Sequence, residues 1–141
     1  MDSERSGRLR ILVSNDDGVN APGLWALVRE LKKEGEVVVA APDREQSGVG
    51  TALTLHQPLR VTEVAPQVEG VKTYSVEGTP GDCVIFALKA EENKFDVMFS
   101  GINEGSNLGN DVFISGTIGA ALQGFFYGLP AVALSVTAMK D

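Results

Sequence analysis

The run Leu9-Arg10-Ile11-Leu12-Val13-Ser14-Asn15-Asp16-Asp17-Gly18 carries the first decision about the fold. Its apolar centre reads as a short buried strand, and it stops at Asn-Asp-Asp-Gly, a turn-forming sequence. Pro22-Gly23 then opens a helix in which Leu24, Leu27, Val28 and Leu31 recur at i, i+3, i+4 and i+7. Gly35 is a plausible stop, and Val37-Val38-Val39-Ala40-Ala41 is a second strand closed by Pro42. Strand, helix and strand in this order make the βαβ unit of a parallel sheet.

Further along, the pattern changes. Leu59-Arg60-Val61-Thr62-Glu63-Val64 and Lys72-Thr73-Tyr74-Ser75-Val76 alternate, and they read as edge or hairpin strands. Thr79-Pro80-Gly81-Asp82 begins a helix, with Thr79 as N-cap, Pro80 at the first helical position and Asp82 in the dipole-favoured first turn. Phe95 to Ser100 reads as a third core strand, followed by a Gly- and Asn-rich loop from Gly101 to about Ser115. A small-residue helix from Thr117 to Tyr127 and a last strand from Ala131 to Val136 complete the pattern. The expected class is α/β: a three-layer, Rossmann-like domain around a mostly parallel central sheet.

The bulk properties agree. A chain of 141 residues, 43% of them hydrophobic, can build one core, and at this size about 68–70% of the unfolded surface is buried. Met1 to Arg10 are polar and charged, which does not describe a signal peptide, and no stretch reaches the roughly 18 apolar residues of a membrane span. The single cysteine excludes an internal disulfide and fits a reducing cytoplasm. A formal charge of −7 argues against gripping long nucleic acid through a basic face. A small anionic ligand is compatible with it, provided backbone donors, a metal ion or single basic residues meet the ligand's charge locally.

Ligands in such folds sit outside the carboxyl ends of the strands. Three polar loops follow predicted core strands: Asn15 to Gly18, Pro42 to Gly48, and Gly101 to Asn107. Parallel strands bring all three to one edge. Asp16 and Asp17 are the sharpest feature, because two like charges about 4 Å apart repel by roughly 4 kcal/mol at an effective dielectric near 20. A hard divalent cation would relieve that repulsion, with Asn103 adding an amide oxygen and Ser47 a hydroxyl. The plainer alternative is a turn that caps the following helix. Ser115-Gly116-Thr117 opens a helix whose free N–H groups and hydroxyls suit a phosphate, with Asn107 as a further donor. The alternative there is ordinary capping and close packing at Gly119, Ala120, Ala121 and Gly124.

Other chemistries fit poorly. Gly48-Val49-Gly50 lacks a third glycine, since position 53 is Leu, so an NAD-dependent oxidoreductase is disfavoured. No phosphate-binding loop of the Gly-x-x-x-x-Gly-Lys type occurs. Cys83 lies in a helical pattern beside Val84 and Ile85 and reads as core, and His56 reads as an exposed strand residue. One histidine and one cysteine rule out a histidine phosphatase and a His/Cys zinc site.

Taken together, four ordered stretches resemble SurE, the survival-protein nucleotidase family. They are Ile11 to Gly18, Ala41 to Gly48, Gly78-Thr79-Pro80-Gly81-Asp82-Cys83-Val84, and Ser100 to Gly109; Ser115-Gly116-Thr117 completes the set. The resemblance runs from Arg10 onward, which makes residues 1–9 an N-terminal extension and residues 10–141 a SurE-like α/β catalytic core. It implies a divalent-metal phosphatase acting on nucleoside 5′- and 3′-monophosphates, some members also trimming polyphosphate. It implies one ion, Mg²⁺ or Mn²⁺, held by Asp16, Asp17, Ser47 and Asn103, with Asn107, Ser115, Gly116 and Thr117 contacting phosphate. Members of the family usually continue past the position of Asp141 into a hairpin and helix that exchange between subunits. A homo-oligomer, dimer or tetramer, is expected where that region is present.

Asp16 and Asp17 are then the candidate catalytic carboxylates. One acts mainly as ligand, and the other orients or deprotonates water or protonates the leaving oxygen; the sequence does not say which does which. The competing class is a non-catalytic nucleotide-binding or regulatory domain using the same anion site. It predicts affinity without phosphate release.

Overall fold

A computed structural model describes residues 8–46, 53, 58–104 and 116–136. Among these described residues, six strands and three helices follow one another as β1 (Leu9–Ser14), α1 (Pro22–Leu31), β2 (Gly35–Pro42), β3 (Val61–Val64), β4 (Lys72–Val76), α2 (Pro80–Ala90), β5 (Val97–Glu104), α3 (Gly116–Phe126) and β6 (Ala131–Val136). They form one sheet in the order β3-β4-β2-β1-β5-β6, parallel throughout except for the antiparallel β3–β4 pair at one edge.

Right-handed crossovers explain the three layers. From β1 the chain moves one way across the sheet through α1 to β2. From β4 it moves the other way through α2 to β5, and again through α3 to β6. Opposite directions of travel put the helices on opposite faces. Ile11, Val13, Val37 and Val39 pack with Leu24, Trp25, Leu27 and Val28 of α1 on one side. Leu12, Val38, Ala40 and Met98 pack with Cys83, Val84 and Ala87 of α2 and Ala120 of α3 on the other. Both faces of β1 and β2 are therefore covered, which is why these strands read as unbroken apolar runs. Each fully buried Leu or Val here contributes roughly 1.5–3 kcal/mol, an upper figure because unfolded chains already bury some of this surface.

The helix signals behave as their chemistry requires. Pro22 starts α1 without a side-chain cap. Thr79 caps α2 with a reciprocal box: Thr79 Oγ1 accepts from the Asp82 N–H at 3.1 Å, and Asp82 Oδ2 accepts from the Thr79 N–H at 2.9 Å. At the amino ends of the strands, buried Arg10 pairs with Glu91 at 2.9 Å and Glu36 at 3.3 Å and bonds the Asn93 carbonyl. Tyr74 donates its hydroxyl to the same Glu91 at 2.7 Å. Burial alone would raise the Glu91 pKa, but the hydrogen bonds from Tyr74, Arg10 and Lys72 outweigh it and hold the carboxyl below its usual range.

One sequence reading needs correcting. Strand β5 does not end at Ser100; it runs to Glu104, so Gly101, Ile102 and Asn103 belong to a strand rather than to a loop. Its pairing with β6 shifts register between Ser100 and Asn103, after which Asn103 lies opposite Ser135. Gly101 supplies that irregularity: its φ is +138°, and a Cβ there would press into the Leu134 carbonyl oxygen of β6. The two alternating segments do form an edge hairpin: β3 and β4 pair antiparallel, with β3 outermost and β4 joining the pair to β2 in parallel.

Candidate functional site

Chain travel reverses at β1, so the crevice between β1 and β5 is the topological switch point, and its carboxyl end is where this class of fold opens a ligand site. Ser14 of β1 and Ser100 of β5 are register partners there, both fully buried. Asn15, Asp16 and Asp17 leave β1 directly above them, and Asn103 stands further along β5.

The β1–α1 loop is built to hold its carboxylates still. Asn15 is buried and bridges the turn, its amide donating to the Gly18 carbonyl at 2.8 Å while its own oxygen accepts from the Gly18 N–H at 3.2 Å. Gly18 takes φ +109° against the backbone of Arg44, a conformation that needs glycine. The Gln46 N–H donates to the Asp16 carbonyl at 2.6 Å, the Val19 N–H to the Pro42 carbonyl at 2.8 Å, and Trp25 Nε1 to the Val19 carbonyl at 2.7 Å. The first two of these bonds couple the loop after β1 to the loop after β2.

The two carboxylates have different surroundings. Asp16 is 4% exposed, and its Oδ1 accepts a 2.9 Å hydrogen bond from the hydroxyl of fully buried Thr117 on α3. Asp17 is only half-buried. Desolvation and then the charge of Asp16 raise its pKa to about 6; Glu45 and Glu104 add to the repulsion, against a hydrogen bond from the Glu104 backbone. Crowded oxygen anions of this kind fit a hard divalent cation, which lowers their mutual repulsion and prefers oxygen donors. No group of three or more His, Cys, Asp or Glu side chains gathers as a metal site among the described residues, so any ion would also need neutral oxygens such as the Asn103 amide.

The structure thus brings Asp16, Asp17, Asn103 and the start of α3, with Gly116 and Thr117, to one edge of the sheet. Ser47, Asn107 and Ser115 lie outside the described residues, as do His56 and the Gly48-Val49-Gly50 stretch. Cys83 is core: it is fully buried, and burial, followed by the charge of Asp82, pushes its thiol pKa well up. Sequence reading gave no role to Asn15, Glu45 or Glu104. Asn15 was findable, since Asn at the head of a Gly-containing turn favours the bridge it makes. The neighbourhood of Glu104 was not, because it depends on β5 continuing past Gly101. No helix among the described residues is long and apolar enough to cross a membrane.

Comparison with known proteins agrees with this fold. A family profile described as "Survival protein SurE" matches residues 11–141. A "5'-nucleotidase SurE" of Dehalococcoides mccartyi strain CBDB1 is 58% identical over 129 residues, covering 91% of this chain and 49% of the relative. The "5'-nucleotidase SurE" of Vibrio parahaemolyticus serotype O3:K6 is 51% identical over 142 residues, covering 99% of this chain and 53% of the relative. Among solved structures, that described as "Crystal Structure of Sure Protein from Aquifex aeolicus" superposes with a TM-score of 0.82 at 42% identity, covering 94% of this chain and 52% of that one. The chain spans about half the length of the curated relatives it matches.

Proposed function

The chain belongs to the survival protein SurE family, and from that premise we propose that it carries the catalytic core of a metal-dependent phosphatase that hydrolyses nucleoside monophosphates. One observation carries the reading: the Asp16–Asp17 pair stands at the switch point, hydrogen-bonded through Asp16 to the first turn of α3. This arrangement sets a carboxylate pair beside a helix start, the two chemistries that phosphate-ester hydrolysis needs. The relatives' name supports the 5′-nucleotidase activity.

The catalytic core is assigned to residues 10–141, with residues 1–9 outside it. Asp16, Asp17, Ser47 and Asn103 would hold one divalent ion, Mg²⁺ or Mn²⁺. When bound, that ion supplies Lewis-acid polarisation of a phosphoryl oxygen. The N–H groups of Gly116 and Thr117, at the positive end of α3, bind phosphoryl oxygens, and Asn107 and Ser115 add donors. Asp16, buried and hydrogen-bonded, acts as ligand. Asp17, less buried than Asp16 and so more open to water, is the acid–base group that orients water or exchanges a proton with it. The finer assignments follow the family: 3′- as well as 5′-monophosphates, short polyphosphate, a cytoplasmic location, and a dimer or tetramer.

The test is phosphate release from a panel of nucleoside monophosphates with Mg²⁺ or Mn²⁺, and again with EDTA. Metal-dependent release that is lost in Asp16→Asn and Asp17→Asn, with folding retained, is expected. Near wild-type rates in either variant overturn the mechanism. Nucleotide affinity without turnover, in folded and metal-loaded protein, replaces it with a binding domain.

A further inference from the structure

We infer that Thr117 is a positioning residue for Asp16 and that its side chain is not a contact for the phosphate; this rests on the phosphatase reading above. Thr117 is the second residue of α3, with no exposed surface, and its hydroxyl donates to Asp16 Oδ1 at 2.9 Å across 101 residues of sequence.

Proton counting decides what that hydroxyl can do. A threonine hydroxyl carries one proton, and an ionised carboxylate only accepts. The bond to Asp16 therefore uses the one proton available. A phosphate monoester near neutral pH is largely a dianion and needs donors. Toward such an anion, Thr117 Oγ1 has only lone pairs left to present. The Thr117 backbone N–H, in the first turn of α3, is unaffected and remains suited to the anion.

The remaining geometry favours positioning. The Asp16 backbone is already fixed on two sides, by the Asn15–Gly18 bridge and by the Gln46 N–H on the Asp16 carbonyl. The Thr117 hydroxyl adds a side-chain restraint and sets the direction of the carboxylate. The same bond ties α3, and with it the N–H groups of its first turn, to the carboxylate. Ligand group and anion cradle thus keep a constant separation.

Thr117→Val keeps the branched shape and removes the proton; Thr117→Ser keeps the proton and removes the methyl. Loss of a group that orients a metal ligand typically weakens metal binding or activity about 10–100-fold. Thr117→Val is therefore expected to weaken Mn²⁺ affinity, read by electron paramagnetic resonance, at least about tenfold. The same variant should lower kcat by a similar factor and leave KM for a nucleoside monophosphate within about threefold. Thr117→Ser is expected to restore both. A KM raised tenfold with unchanged Mn²⁺ affinity would make the side chain a phosphate contact and overturn the proposal. Equal losses of melting temperature in both variants, with Mn²⁺ affinity and kcat unchanged, would reduce the residue to a structural role and overturn it equally. A metal-free arm separates this inference from the phosphatase reading. In EDTA, Thr117→Val should lower the melting temperature less in an Asp16→Ala background than in the wild type, whether or not the protein releases phosphate. Additive losses there would refute the coupling.

Discussion

Replacing Asp17 by Asn should stabilise the metal-free protein while removing its activity. The Asp17 pKa stands near 6 instead of 3.8, chiefly through desolvation and the adjacent charge of Asp16. At 1.36 kcal/mol per pKa unit that displacement sets a ceiling of about 3 kcal/mol. The carboxylate is partly open to water, and screening brings the expected effect to about 1–2 kcal/mol. The sign follows from proton linkage. A folded pKa above the unfolded one means that the folded state holds the proton more tightly, so stability is greatest below pH 4 with respect to this group. It is lost as pH rises toward and through 6, and the penalty persists above. Asn carries no charge and keeps an oxygen to accept the Glu104 N–H, so the variant escapes the penalty. Urea denaturation in EDTA at pH 7.5 should show the variant more stable by that amount, or roughly 3–8 °C in Tm. The gap should shrink as pH falls below 6 and almost vanish near 4. Added Mn²⁺ should reverse the order, because a ligand that binds only the folded wild type stabilises it by mass action. A variant less stable than wild type in EDTA at pH 7.5, or a gap that ignores pH, would refute the electrostatic account.

Two further outcomes follow from the fold, beside those attached to the Asp16 and Thr117 variants. Thr79→Ala removes one arm of the reciprocal cap of α2 and should cost about 0.5–2 kcal/mol in urea denaturation, with kcat little changed. Gly101→Ala forces a Cβ onto a φ of +138° and against the Leu134 carbonyl. It should cost at least about 1–3 kcal/mol and weaken Mn²⁺ binding through Asn103; a stable variant with normal affinity would show that β5 does not place Asn103.

What could be read from sequence was whatever depended on neighbours in the chain. The runs Ile11-Leu12-Val13 and Val37-Val38-Val39 announced β1 and β2, because a parallel sheet covered on both faces imposes no alternation. Thr79 announced α2 because a capping box spans only four residues. The misread parts were those that tertiary pairing decides. Gly101, Asn103 and Glu104 have the composition of a turn, yet pairing with β6 keeps them in a strand. The alternating hairpin of β3 and β4 was legible, but the contacts of Lys72 and Tyr74 with Glu91, beyond α2, were not. Asp16 and Asp17 were visible as a pair, and the structure has them just past the carboxyl end of β1, where the strand pattern put them. That they differ in burial, and that Thr117 reaches one of them, no local pattern could show.

The bond between Thr117 and Asp16 also sets a clock. Its two ends are 101 residues apart, and ribosomes add about 5–20 residues per second. For about 5–20 s after Asp16 is made, its partner does not yet exist. β1, α1 and β2 can form in that interval from local sequence. The carboxylate pair stays without the helix that orients it until α3 is made and docks. A growing chain of this protein therefore carries the scaffold of its site well before it carries the site.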